Sequence, residues 1–193
     1  IQRLVGSTVR ESDFGLEFDS KKNDYKVIQI LFCLSIDHIF VYQVEIYFLN
    51  KNSWRKYKGI VPSKIKYGNT SWNMVYENEF FCWLGQDVDN HEVILLFNMS
   101  EEIFQNIKLP SSNIRIFGEQ EIMRSVWVIV PFKESISLIV YCLEEVEKYY
   151  DIWVMNNEMG VENCWTKLQR IGPISRVERP LGFWKNGELI LEN

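Results

Sequence analysis

Tyr25-Lys26-Val27-Ile28-Gln29-Ile30-Leu31-Phe32-Cys33-Leu34, followed by Tyr42-Gln43-Val44-Glu45-Ile46-Tyr47-Phe48-Leu49, decides the fold. Both runs are rich in β-branched and aromatic residues, lack a helical period and are bounded by Asn, Asp, Ser and Lys, so they read as neighbouring strands. Phe14–Phe18 before them and Trp54–Lys58 after them complete a set of four. The same grammar continues along the chain. Strands are predicted at Trp72–Tyr76, Phe80–Leu84, Val93–Phe97 and Ile103–Leu109, and again at Val126–Val130, Ser137–Leu143, Tyr150–Met155 and Cys164–Ile171. Leu181–Trp184 and Glu188–Leu191 open a fourth set.

The sets repeat. Cys33, Cys82 and Cys142 each fall near the end of a second strand, at steps of 49 and 60 residues, while Trp54, Phe104 and Trp165 in the fourth strands step by 50 and 61. Asn50, Asn98 and Asn156 each end a third strand, where an Asx side chain caps its own backbone and tolerates a left-handed turn. A four-stranded unit recurring about every 50 residues is the pattern of a kelch-like β-propeller blade, whose sheet buries its faces only by stacking on its neighbours. The expected fold is therefore all-β: repeated four-stranded antiparallel blades in a partial kelch-like propeller, with three and a half blades within residues 1–193. An open antiparallel stack or sandwich is the alternative. Pro110-Ser111-Ser112-Asn113 and Gly172-Pro173 are expected in inter-blade connections rather than at a domain boundary. Lys185-Asn186-Gly187 predicts a type I′ hairpin with both central residues at positive φ. The carboxylates Glu45 and Asp151, each beside residues that face an adjacent blade, predict partly solvated sheet faces.

The chain has 193 residues, 47% hydrophobic and 24% charged, with a net charge of −5 and a pI near 5.2, which suits one packed domain. The negative balance disfavours nucleic acid, whose phosphates demand a cationic surplus, and favours a basic partner. No apolar run approaches the ~20 residues of a membrane-spanning helix. The opening Ile1-Gln2-Arg3-Leu4-Val5-Gly6 has neither a signal-peptide pattern nor an initiator methionine, so a stretch of something longer is expected. The four cysteines form no CxxC pair and mostly sit in apolar runs, which predicts reduced buried thiols and a cytoplasmic setting.

Phe14-Gly15-Leu16-Glu17-Phe18-Asp19 followed by Asn23-Asp24-Tyr25-Lys26-Val27 resembles the opening motif of the plant F-box-associated domain. Val44-Glu45-Ile46-Tyr47 with Asn52-Ser53-Trp54-Arg55, and Phe97-Asn98-Met99-Ser100-Glu101-Glu102 with Lys108-Leu109-Pro110, continue the likeness. Ile152-Trp153-Val154-Met155 with Trp165-Thr166-Lys167-Leu168, and Pro180-Leu181-Gly182-Phe183-Trp184-Lys185, carry it almost to the C-terminus. The subgroup most similar is the S-locus F-box and S-locus F-box-like proteins. The resemblance implies a domain that holds a target protein, while an F-box elsewhere binds the adaptor and through it the cullin of an SCF-type E3 ubiquitin ligase. For the S-locus type it implies that the target is a pistil S-ribonuclease, recognised in the pollen tube in self-incompatibility. No F-box is present in these residues. Leu16-Glu17 also departs from the second aromatic-glycine alternation often seen in the opening motif.

No catalytic residue is expected. His38 and His91 belong to no recognisable nucleophile motif and read as loop residues. Asp87-Val88-Asp89-Asn90-His91-Glu92 superficially suggests a calcium loop, but without the EF-hand glycine or flanking helices it reads as a solvated hairpin, and no metal or cofactor is expected. A propeller glycosidase, the enzymatic alternative, needs carboxylates paired at about 5 to 9.5 Å, and nothing in the sequence pairs the loop acids. The recurring aromatics read as packing between blades rather than as a base-stacking surface.

Topology selects one end of the blades as the binding face. In an up-and-down blade, the loops between strands two and three lie at the same end as the connections between blades. Here those loops carry Asp37, then Asp87, Asp89 and Glu92, then Glu144, Glu145 and Glu147, whereas the connections carry Lys64, Lys66, Arg115, Arg124, Arg176 and Arg179. The plain reading is a solvated charged rim. The functional reading is an acidic arc that steers a basic protein, with Phe40, Tyr42, Tyr149 or Tyr150 as aromatic anchors beside it. The function expected is non-catalytic target recognition, with a receptor for an unrelated target protein as the alternative.

Overall fold

The structure, a computed structural model, describes residues 8–34, 40–65, 75–77, 80–89, 91–110, 125–133, 135–156 and 164–193. Among these, every regular element is a strand. Sheet 1 runs β1 (Thr8–Asp19), β2 (Asp24–Leu34), β3 (Phe40–Phe48) and β4 (Ser53–Lys56), each antiparallel to the next. Sheet 2 comprises β5 (Lys64–Ile65), β6 (Val75–Glu77), β7 (Phe80–Gln86), β8 (Glu92–Asn98) and β9 (Ile103–Lys108); β5 and β6 pair with different parts of β7. Sheet 3 runs β10 (Ser125–Phe132), β11 (Ser135–Cys142), β12 (Glu147–Met155) and β13 (Trp165–Ser175), and a hairpin of β14 (Arg179–Phe183) and β15 (Leu189–Glu192) follows. The repeated antiparallel blades of the sequence reading are therefore present. The first strand of sheet 2 differs from its expectation, being split into two short pieces on β7.

Burial explains the order of the strands. Phe81–Gly85 in β7 and Val93–Phe97 in β8 are buried without alternation because sheet 2 has a sheet on each side. The fourth strands form the outer edges, where exposed Arg55 and Lys56 in β4 and Thr166, Lys167, Gln169 and Arg170 in β13 discourage edge-to-edge pairing. At the other edge, β10 contacts both β6 and β14.

The first two junctions are packed from unlike sets of side chains. Between sheets 1 and 2, aliphatic Ile28, Ile30, Val44 and Ile46 meet Phe81, Trp83, Phe97 and Phe104. Between sheets 2 and 3, Leu84, Ile94, Leu96 and Ile107 meet Ile129, Ile136, Leu138, Met155 and Trp165, with Trp127 and Trp153 alongside. Each such side chain withdrawn from water contributes about 1.5–3 kcal/mol. Trp165 also donates its indole N–H to the Lys108 carbonyl, 2.9 Å away across the junction. At the third junction, Val130, Ile139, Tyr141 and Tyr150 pack with Phe183, Leu189 and Leu191.

Several local expectations are corrected. Cys82 lies one residue past Phe81, which pairs with Phe97 and through it Phe104, whereas Cys33 lies six past Val27, which pairs with Tyr47 and Trp54. The aromatics are thus equivalent and those two cysteines are not. The left-handed residues of the third hairpins are Asn52 and Glu102, the fourth of each four-residue turn, rather than Asn50 and Asn98. Asn98 still caps its turn, accepting the Glu101 N–H at 2.8 Å. Gly172-Pro173 lies inside β13 and forms a bulge there, two residues opposite the single Tyr149 of β12; Gly172 at φ 131 takes a conformation that suits glycine. In the last hairpin only Gly187 has positive φ, and its N–H closes the turn on Trp184 O at 2.8 Å. Glu45 and Asp151 are buried rather than solvated. Gln43 donates to Glu45, and Asp151 accepts from Arg170 and Lys167 of β13, so the cost of burial is offset by partners.

Candidate protein-binding face

The two ends of the blades differ in chemistry. At the end of the β1–β2 and β3–β4 type hairpins, charge is buried and paired. Lys26 is wholly buried, and its ammonium lies 2.6 Å from Asp19, 2.9 Å from Glu102 and 3.1 Å from the Met99 carbonyl. Lys22 and Arg55 also reach Glu102. Burial opposes each of these charges, yet the contacts outweigh it: the carboxyls of Asp19 and Glu102 are held below their usual range and the Lys26 ammonium above its own. Asp151 follows the same rule, with burial opposed by Arg170 and Lys167 and the carboxyl lowered. A general acid for glycoside hydrolysis needs a carboxyl raised in pKa, and these three paired carboxyls are lowered.

At the opposite end the β7–β8 and β11–β12 loops project their acids. Asp87 Oδ1 accepts the N–H groups of Asp89 and His91 at 2.9 Å each, an Asx turn. Slight burial raises its carboxyl, and those two amides together with the nearby His91 ring more than offset it, so the net direction is down. The ligating atoms of Asp87, Asp89 and His91 lie within 4.8 Å of one another. The turn accounts for that closeness, with His91 Nδ1 3.5 Å from Asp87 Oδ2. Asp89 is exposed, and Glu92 opens β8 half-buried opposite Gln86. In the β11–β12 loop Glu144 is exposed and accepts from the Cys142 thiol, whose pKa burial pushes up. Glu145 is half-buried and its carbonyl accepts from Lys148 Nζ at 2.8 Å. Glu147, exposed, opens β12 opposite Ser175.

Of the expected aromatic anchors, Tyr149 is exposed, with the Arg170 guanidinium 5.8 Å over its ring. Tyr150 is fully buried against Tyr141 and is core, a correction that strand alternation explains, since adjacent residues point to opposite faces. Phe40 and Tyr42 pair in the ladder with Leu34 and Phe32. Asp37, His38, Lys66, Arg115 and Arg124 lie outside the described residues. Of the remaining cations, Lys64 pairs in the ladder with Gln86, Arg176 is exposed and Arg179 is paired with Glu192.

The sequence reading missed the loop tips. Val88 is 87% exposed between Asp87 and Asp89, and Val146 is 82% exposed between Glu145 and Glu147. Ile60, in the connection from β4 to β5, is 84% exposed at the same end. The signal was present as an acid-valine-acid triplet in two corresponding loops. Apolar tips rimmed by charge have the composition of a protein contact, with a desolvating centre and a polar rim.

No helix among the described residues is long and apolar enough to cross a membrane. Residues 4–190 match the model of the F-box associated beta propeller domain. The chain is 25% identical to F-box protein CPR1 of Arabidopsis thaliana, with 96% of this chain and 48% of that protein aligned. It is also 25% identical to the F-box/kelch-repeat protein At3g23880 of Arabidopsis thaliana, over 98% of this chain and 49% of the relative. The chain spans about half the length of these curated relatives. A β-only architecture of stacked four-stranded sheets, matched along almost its full length by that model, places the chain in the F-box associated beta propeller domain family.

Proposed function

We propose that this domain is the target-recognition part of an F-box protein of SCF type, binding a protein at the acidic, valine-tipped end of its blades. The observation that carries the reading is the match of residues 4–190 to the F-box associated propeller domain. The domain supplies no acid, base or nucleophile to ubiquitin transfer. Its contribution is proximity, since holding a target beside the transferring subunits raises its effective concentration. The lowered Asp87 carboxyl favours a charged loop that attracts a basic surface, while Val88 and Val146 offer the apolar contact that charge alone lacks.

The specific target proposed is a basic ribonuclease of the S-locus type, and its setting the cytoplasm. Calorimetry with a panel of such ribonucleases at low and moderate salt tests this, using the full-length protein and a variant with Glu144, Glu145 and Glu147 changed to Lys. Binding that weakens with salt and collapses on charge reversal supports the acidic face. Binding untouched by the reversal places the target elsewhere on the domain. A protein that binds no ribonuclease but captures a different target keeps the receptor role and removes the S-locus assignment.

A further inference from the structure

The strongest unassigned feature is a segregation of charge on the two turns of sheet 1 that lie at the end opposite the acidic loops. In the β1–β2 turn Asp19 and Asp24 are buried, while Lys21 and Lys22 are exposed. In the β3–β4 turn and along the edge strand after it, Lys51, Arg55, Lys56 and Lys58 are exposed. Every charged side chain in residues 20–23 and 49–58 is thus a cation open to solvent, in a chain whose net charge is −5. The carboxylates lie beneath these cations rather than among them. Glu102 is engaged inside the junction by Lys22, Arg55 and the buried Lys26. Its neighbour Glu101, in the turn of sheet 2, is exposed and bounds the patch on that side.

The backbone under the patch is fixed. Asn50 ties the two turns together: its N–H donates to Asp24 Oδ1 at 2.9 Å and its side-chain amide to the Asn23 carbonyl at 3.0 Å. The Lys22 N–H donates to Asp19 Oδ1 at 3.1 Å, and the Tyr47 hydroxyl donates to Asn52 Oδ1 at 2.8 Å. Asn23 and Asn52 hold left-handed conformations, φ 48 and 45, which Asn tolerates better than most residues. The Phe48 ring carries Lys51 at 5.6 Å and Arg55 at 5.3 Å, and a ring orients a cation without cancelling its charge. Lys21, Lys51, Lys56 and Lys58 meet no carboxylate among the described residues. A partner therefore orders only lysine side chains here, not the turns that present them.

We propose that this basic platform binds an Asp- and Glu-rich segment of another protein, at the end of the domain opposite the target-binding loops. Charge complementarity commits the occupant. Lysines are point charges on flexible stems, and spread over two turns they suit carboxylates spaced along an extended chain. Phosphate recognition favours the forked guanidinium of Arg, and the one Arg of the patch is already engaged with Glu102. A long nucleic acid is disfavoured because the net charge of −5 and the acidic far end repel it. The two ends carry opposite signs, so a basic target and an acidic partner are held at once, without competing for one surface. The contact is salt-sensitive, since the lysines are exposed.

The test is fluorescence anisotropy of a fluorescein-labelled peptide of alternating Asp and Glu, titrated with the full-length protein at low and moderate salt. The expected result is saturable binding that weakens as salt rises. Lys21→Glu with Lys51→Glu should weaken it by about tenfold or more at an unchanged melting temperature, because both side chains are exposed. Arg176→Glu with Lys185→Glu makes the same change in net charge at exposed positions elsewhere and should leave the affinity within about twofold. An equal loss in that control reduces the effect to net charge and overturns the proposal. So does an absence of binding at low salt, or an affinity untouched by Lys21→Glu with Lys51→Glu. Tighter binding of a phosphoserine peptide or a single-stranded oligonucleotide of matched charge would give the platform to phosphate and overturn it as well.

Discussion

Lys26 of sheet 1 and Glu102 of sheet 2 meet across a blade junction, ammonium to carboxylate at 2.9 Å, although 76 residues separate them. Glu102 stands at φ 58, a left-handed conformation that a non-glycine residue adopts at some cost. That geometry turns its carboxylate to Lys26, Lys22 and Arg55 together. Removing Lys26 leaves Asp19 buried without its ammonium. Lys26→Met should therefore destabilise the domain by about 3–5 kcal/mol, and Asp19→Asn added to it should recover part of that loss. Urea unfolding of both variants checks this.

The same cluster sets a pH window. Asp19 and Glu102 have folded carboxyls below the ordinary 3.8 and 4.5, so their contribution is complete above those values and disappears as pH falls through the lower folded range. Lys26 is raised above 10.5, so its contribution is complete below that value and disappears as pH rises through the folded pKa. Stability should form a plateau between these limits and fall on both sides. Glu102→Gln should flatten the acid limb, as read from melting temperature against pH.

Gly15 is where the opening motif meets a neighbouring sheet. A Cβ built there would lie 2.1 Å from the Phe81 ring, itself buried in the first junction. Gly15→Ala should cost about 1–3 kcal/mol through overpacking. Phe81→Leu should be less damaging in the Gly15→Ala background than alone, and a double-mutant cycle measures that coupling.

Trp54 and Trp165 share a strand position and differ in their surroundings. Trp165→Phe loses the hydrogen bond to the Lys108 carbonyl and some packing, for about 1–3 kcal/mol. Trp54→Phe in residues 1–193 should change stability by less than about 0.5 kcal/mol, as surface substitutions do. Equilibrium unfolding distinguishes the two.

Val88→Ser and Val146→Ser remove apolar surface that touches little within the domain, so the melting temperature should hold. Affinity for the target should fall about tenfold or more when both are changed, as truncation of a hot spot does. Titration calorimetry with the target proposed above reads this directly.

Strand order was legible because each set of four carries its own alternation and its own turn residues. The equivalence of Trp54, Phe104 and Trp165 also survived, since an aromatic at a sheet junction is fixed by packing. Cys82 misled because a small apolar residue suits either face of a sheet buried on both. The split of the inner strand into Lys64–Ile65 and Val75–Glu77 had no periodic signal, the pieces being too short to show one. The buried state of Asp151 was hidden because its partners, Lys167 and Arg170, come from the next strand and are set by a bulged register. The loop acids could be named from topology, but Val88 and Val146 emerged only once their exposure was seen.

The unlike faces of sheet 2 give the stack a head and a tail. Its aromatic face meets the aliphatic residues of sheet 1 and its aliphatic face meets sheet 3, so growth by stacking has a single direction. Two copies meeting through these faces would join head to tail, a heterologous contact that ends only when a ring closes and otherwise extends into a filament.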